Sequence, residues 1–66
     1  MGDERFKFEM WEGVQKRRGF RWPGVIVARF HTTAGKARYV VECVVREVRG
    51  ALHIYSARDL KRRRSS

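Results

Sequence analysis

Scarcity excludes several classes of protein at once. The chain of 66 residues has one cysteine, Cys43, and two histidines, His31 and His53. No intrachain disulfide is possible, no zinc-ligand spacing exists, and no metal site is expected. No apolar run approaches the roughly 20 residues that span a bilayer. There is no secretory hydrophobic region, and Phe6 stands where N-myristoylation needs Ser or Thr. A cytoplasmic chain in a reducing compartment, with no membrane partner, is the expectation. Carboxylates are also few, seven in all, and no two of them sit together in a pattern suited to acid–base catalysis. A glycine-rich phosphate loop is missing. Cys43 lies in a run of valines and reads as a small buried hydrophobe, not a nucleophile. If the chain is an enzyme, it works by positioning its reactants.

Cations are abundant. Sixteen Lys and Arg against seven Asp and Glu give a net charge of +9, which predicts attraction to polyanions such as nucleic acid, anionic lipid or phosphorylated cofactors. The run Lys61-Arg62-Arg63-Arg64 reads as a solvated tail, and Lys16-Arg17-Arg18 as a second dense patch beside a turn. A chain of this length makes one domain. Its core supplies only about 3–5 kcal/mol without a disulfide or a metal, so self-assembly is the expected support.

The apolar pattern is that of strands, and no long helical periodicity or internal repeat is present. Residues 1–12 hold Phe6, Phe8 and Met10 in alternation with Lys7 and Glu9, as a first strand or a mobile arm. A barrel is expected over residues 13–62 and a disordered basic tail over 63–66. Residues 14–16 form a short strand. After Trp22 and Pro23-Gly24, residues 25–30 are rich in β-branched side chains, and residues 32–36 contain Gly35 and make a hairpin connection. Residues 38–45 form the second strong strand. Both of its faces are partly apolar, which suits a core on one side and a neighbouring subunit on the other and makes Cys43 an interface candidate. Residues 46–50 are a charged loop. In residues 51–55, Leu52 and Ile54 share one face and read as core, while His53 and Tyr55 share the other. Ser56 caps a single helical turn to which Asp59 reaches back, and Leu60 returns to the core. Several short strands with one helical turn near the C-terminus predict an all-β fold, a small SH3-like barrel of about five strands.

Taken together, Gly19, Trp22, Gly24, Ile26-Val27, Thr32, Gly35, Tyr39, Val41-Glu42, Gly50 and Ile54-Tyr55 resemble the type II dihydrofolate reductases. These are small trimethoprim-insensitive, plasmid-borne resistance enzymes with an SH3-like barrel. The resemblance implies a homotetramer around one pore, in which NADPH and dihydrofolate meet. It aligns Leu52-His53-Ile54-Tyr55 with the family's pore strand Val-Gln-Ile-Tyr, and Ala51 with a pore-lining serine. By resemblance, Ile54 offers main-chain N–H and C=O groups to nicotinamide and pterin, and Tyr55 lines the pore. Lys16 attracts the anionic tails of both ligands, and Trp22 lies at a subunit interface. Two differences stand out. His53 replaces glutamine, and the loop before Gly50 is longer, with Val48 and Arg49 where the family has His and Pro. The rival reading is a non-catalytic basic module that binds nucleic acid or another acidic partner, with Phe20, Trp22 and Tyr55 as stacking surfaces.

Overall fold

β-Branched side chains decide where the sheet forms. In the computed structural model, which describes residues 3–19 and 22–63, the two valine-rich runs make the two longest strands. These are β2 (Pro23–His31) and β3 (Ala37–Cys43), because branched side chains pack well on a pleated surface. Gly35, at φ +78°, lets the chain reverse between them, and the Lys36 N–H donates to Thr32 Oγ1 in the same turn. Three shorter strands complete the sheet: β1 (Gly13–Lys16), β4 (Leu52–Tyr55) and β5 (Leu60–Arg62). The order is β4-β3-β2-β1-β5, and every neighbouring pair is antiparallel. Among the described residues the only helical segments are the 3-10 turns Arg46–Val48 and Ala57–Asp59. This is the small all-β, SH3-like barrel that the sequence predicts. Among the described residues no helix is long and apolar enough to cross a membrane.

Several local expectations are revised. The 46–50 loop contains a 3-10 turn of its own. Lys61 and Arg62, expected in a solvated tail, pair with β1 instead, while the tail residues 64–66 lie outside the described residues, as does Phe20. Ser56 does not cap the turn that follows it. Its hydroxyl donates to Asp59 Oδ2 at 2.9 Å, so the two side chains satisfy each other. Leu60 is buried, as expected.

The core comprises Val14, Ile26, Tyr39, Val41 and Leu60 with Phe8, and Phe6, Met10 and Tyr55 pack against it. Residues 3–12 are neither a ladder strand nor a free arm. They cross the inner face of the sheet and touch its main chain where the Trp11 N–H donates to the Ile26 carbonyl and the Ile26 N–H to the Glu12 carbonyl. Elsewhere they are held largely by bonds that involve side chains. The Lys7 N–H donates to Tyr39 Oη at 2.7 Å, the Ala37 N–H to Glu4 Oε1 at 2.7 Å, and Arg29 Nη1 to the Phe8 carbonyl at 3.0 Å. A bulge makes this possible. The β2–β3 register pairs Ile26 with Val41 but Ala28 with Val40, so one extra residue flips the parity of β2. Ile26 faces inward before the bulge, and Arg29 and His31 do so after it. Arg29 then lies over the Phe6 ring at 4.6 Å, and the His31 ring centroid is 4.5 Å from that of Phe6.

Gly24 is fixed by close approach. A Cβ at this position would strike Val41 Cγ1 and lie 2.8 Å from the Glu42 carbonyl oxygen. The side chain could turn away, but the carbonyl belongs to the β3 ladder and cannot. Gly24→Ala is therefore expected to destabilise the fold by about 1–3 kcal/mol, read as a lower urea midpoint with an unchanged slope.

Candidate functional site

Leu52 and Ile54 are not core. They are 59% and 61% exposed, and the β3–β4 register explains why. His53 stands opposite Val41, and Tyr55 opposite Tyr39. Directly opposed residues share a face, and Val41 and Tyr39 face inward. His53 and Tyr55 are therefore carried on the inner face, and Leu52 and Ile54 on the outer one. There Ile54 lines up with Val40 and Ala28 across three strands, an apolar row that extends to the sheet edge.

The open edge of β4 has chemistry of its own. Antiparallel partners alternate between pairs that exchange main-chain hydrogen bonds and pairs that do not. The Cys43 N–H donates to the Ala51 carbonyl at 2.8 Å, which sets the phase. The Ala51 carbonyl and the main-chain groups of His53 and Tyr55 are directed at β3, whereas Leu52 and Ile54 turn their N–H and C=O groups outward. Among the described residues β4 has only β3 beside it, so this outward pair of groups at Ile54 has no strand to bond.

An aromatic row runs beside that edge. The ring centroids of Trp22 and His53 are 6.4 Å apart, and those of His53 and Tyr55 are 5.9 Å apart with planes at 23°. Lys16 Nζ reaches over the Tyr55 ring at 5.6 Å from its centroid, within cation–π range. Lys16 comes from β1 and Tyr55 from β4, so the contact bridges the seam where β4 and β5 do not pair. The 3-10 turn Ala57–Asp59 closes the same seam, tied to β1 by the Arg17 N–H donating to the Asp59 carbonyl at 2.9 Å. Burial raises the pKa of the Tyr55 phenol above its ordinary value, with smaller contributions from the charges of Cys43 and Asp59. The phenol is thus neutral through the physiological range and both donates and accepts hydrogen bonds.

The structure therefore brings together Lys16, Trp22, His53, Ile54 and Tyr55. Ala51 contributes its carbonyl to β3 and its N–H to Val48. Cys43, expected at an interface, is buried within the chain because it lies on the inner face of β3. Among the described residues no group of His, Cys, Asp and Glu could hold a metal ion.

The sequence reading did not single out Lys7 or Arg58, and it placed Arg62 in a solvated tail. These join Lys16, Arg17 and Arg18 around a cleft of about 830 Å³ whose only carboxylate is Asp59. A second cleft, of about 880 Å³, shares Lys7, Ala57 and Arg58 with the first and adds Arg5, Lys36 and Arg38. The run Lys16-Arg17-Arg18 announces one side of the first cleft, but the other cations come from residues 3–12, the hairpin turn, β3, the 3-10 turn and β5, so no local run announces the clefts as a whole. Comparison with known proteins supplies no relative: no protein family, curated protein or solved structure matches the chain.

Proposed function

We propose that the chain is one subunit of an NADPH-dependent dihydrofolate reductase of the type II kind, active as a homotetramer with its β4 edges around a shared pore. The observation that carries this reading is the open main-chain N–H and C=O of Ile54 beside the row Trp22–His53–Tyr55 and Lys16. The exposed row Leu52–Ile54, with Val40 behind it, gives copies an apolar surface to bury against one another.

The chemistry asks little of the side chains. NADPH supplies a hydride, which reduces dihydrofolate to tetrahydrofolate. Main-chain groups at Ile54 suit a carboxamide or a pterin edge, since both present a donor beside an acceptor. The faces of His53 and Tyr55 suit flat rings, and Lys16 suits anionic tails. No side chain in the row is placed as a proton donor to the pterin, so the proton comes from water, and the rate comes from alignment. A subunit this small cannot enclose both ligands, which is why the site requires several copies.

The test is NADPH oxidation in the presence of dihydrofolate, with and without trimethoprim, alongside light scattering. The protein is expected to consume NADPH as a tetramer and to ignore trimethoprim. His53→Gln is expected to keep activity, because an amide also donates and accepts hydrogen bonds beside the same edge. Tetramers of both proteins that leave NADPH untouched would refute the reductase reading.

A further inference from the structure

The two basic clefts form one track, and the reductase reading leaves most of it unused. Among the described residues six cations line the first cleft and five the second, with Lys7 and Arg58 common to both. The two carboxylates along the track are already engaged. Asp59 accepts from the Ser56 hydroxyl, and Glu4 accepts from the Ala37 N–H and pairs with Lys36 at 3.8 Å. Arg17 and Arg62 are held in place, Arg17 by the Leu60 carbonyl at 3.0 Å and Arg62 by the Lys7 carbonyl and Glu12. Arg18, Arg58 and the Lys7 ammonium have no ion-pair partner among the described residues.

We propose that this track binds the sugar–phosphate backbone of single-stranded nucleic acid. Like charges held along a concave path require counter-charges spaced along it, and a phosphate chain supplies them. The clefts are of a size that admits a single strand. A membrane surface fits less well. Among the described residues the large exposed apolar side chains, Trp11, Trp22, Phe30, Val44, Leu52 and Ile54, do not line either cleft. The apolar residues that do, Phe6, Phe8 and Leu60, belong to the core or pack against it, so no large exposed apolar side chain stands beside the cations to enter lipid. Lys7 and Arg58, at the junction, belong to neither the aromatic row nor the Ile54 edge. The inference thus stands apart from the reductase reading.

The test is fluorescence anisotropy of a labelled oligo(dT) or oligo(U) of about 20 nucleotides, a length that exceeds the site size of one small barrel. The titration is run at several salt concentrations. The full chain is compared with Lys7→Glu/Arg58→Glu and with Arg46→Glu/Arg49→Glu, which makes the same change in net charge outside the clefts. The expected result is salt-dependent binding that the Lys7/Arg58 pair weakens at least tenfold. Its log–log salt slope should fall by about 1.4, at about 0.7 per phosphate contact on a single strand. The Arg46/Arg49 pair should leave affinity within about threefold. Equal losses in the two double variants would mean attraction by net charge alone and would overturn the proposal. So would full displacement of the oligonucleotide by equimolar polyglutamate, or anionic vesicles bound more tightly than the oligonucleotide. Circular dichroism of each variant checks the fold, and single substitutions at Lys7 and Arg58 replace the pair if the double variant is unfolded.

Discussion

Ile54→Pro is expected to lower kcat/KM for dihydrofolate reduction by at least about a hundredfold, the scale of losing one preorganised donor, while the barrel stays folded. Proline is usually ruinous in a sheet because it removes a ladder bond. Here it removes an N–H that points away from β3, and at such a position on an edge strand proline is tolerated. The residue before it, His53, is already extended, as a residue preceding proline must be. Ile54→Val controls for the side chain and is expected to stay within a few fold of the parent. Steady-state NADPH oxidation gives the rate, circular dichroism the fold, and light scattering the assembly. Full activity in a folded, assembled Ile54→Pro protein would show that the main-chain N–H plays no part in holding the ligands.

Tyr39→Ala is expected to abolish folding of the isolated chain. Tyr39 is fully buried at the centre of the inner face, with the rings of Phe6 and Phe8 packed edge-on at 5.9 and 5.4 Å. Truncating a buried aromatic costs about 3–5 kcal/mol, and a core of this size provides about the same in total. Tyr39→Phe separates the ring from the hydroxyl. It keeps the packing but deprives the Lys7 N–H of its acceptor, at an expected cost of about 1 kcal/mol. Urea denaturation of the two variants gives the comparison. A Tyr39→Phe protein as stable as the parent would mean that the Lys7–Tyr39 hydrogen bond contributes nothing net to holding the residue 3–12 segment.

Much of the fold is legible in the residues. Val25-Ile26-Val27 and Tyr39-Val40-Val41 declare strands through their branching, and Gly35 declares the turn between them. The faces are harder. A period of two divides Leu52-His53-Ile54-Tyr55 into two sets but does not say which set is inside. That is decided by the register with β3, and apolarity points to the wrong one because an edge strand can present its apolar set outward. The alternation of Phe6 and Phe8 is equally ambiguous. It records burial on the sheet, not membership of it. Nothing in Pro23-Gly24-Val25-Ile26-Val27 marks the bulge that turns Arg29 and His31 inward. The site was legible in part. Lys16, His53 and Tyr55 were singled out by residue type, but the open main chain of Ile54 follows from hydrogen-bond phase and the clefts follow from chain crossing. The first has no local signature, and the second has only the run Lys16-Arg17-Arg18.

The residue 3–12 segment also sets a problem in time. It is made early, yet the groups that hold it are made late: Phe8 waits for Arg29, Lys7 for Tyr39, and the Lys7 carbonyl for Arg62, 55 residues on. At a synthesis rate of about 5–20 residues per second, the last of these arrives several seconds after the first. Throughout that interval Phe6, Phe8 and Met10 have no complete sheet to lie on. Pairing over such separations is also slow once the chain is complete, since loop closure must precede any gain from contact. The nascent chain thus presents a short aromatic segment flanked by charges before any barrel exists.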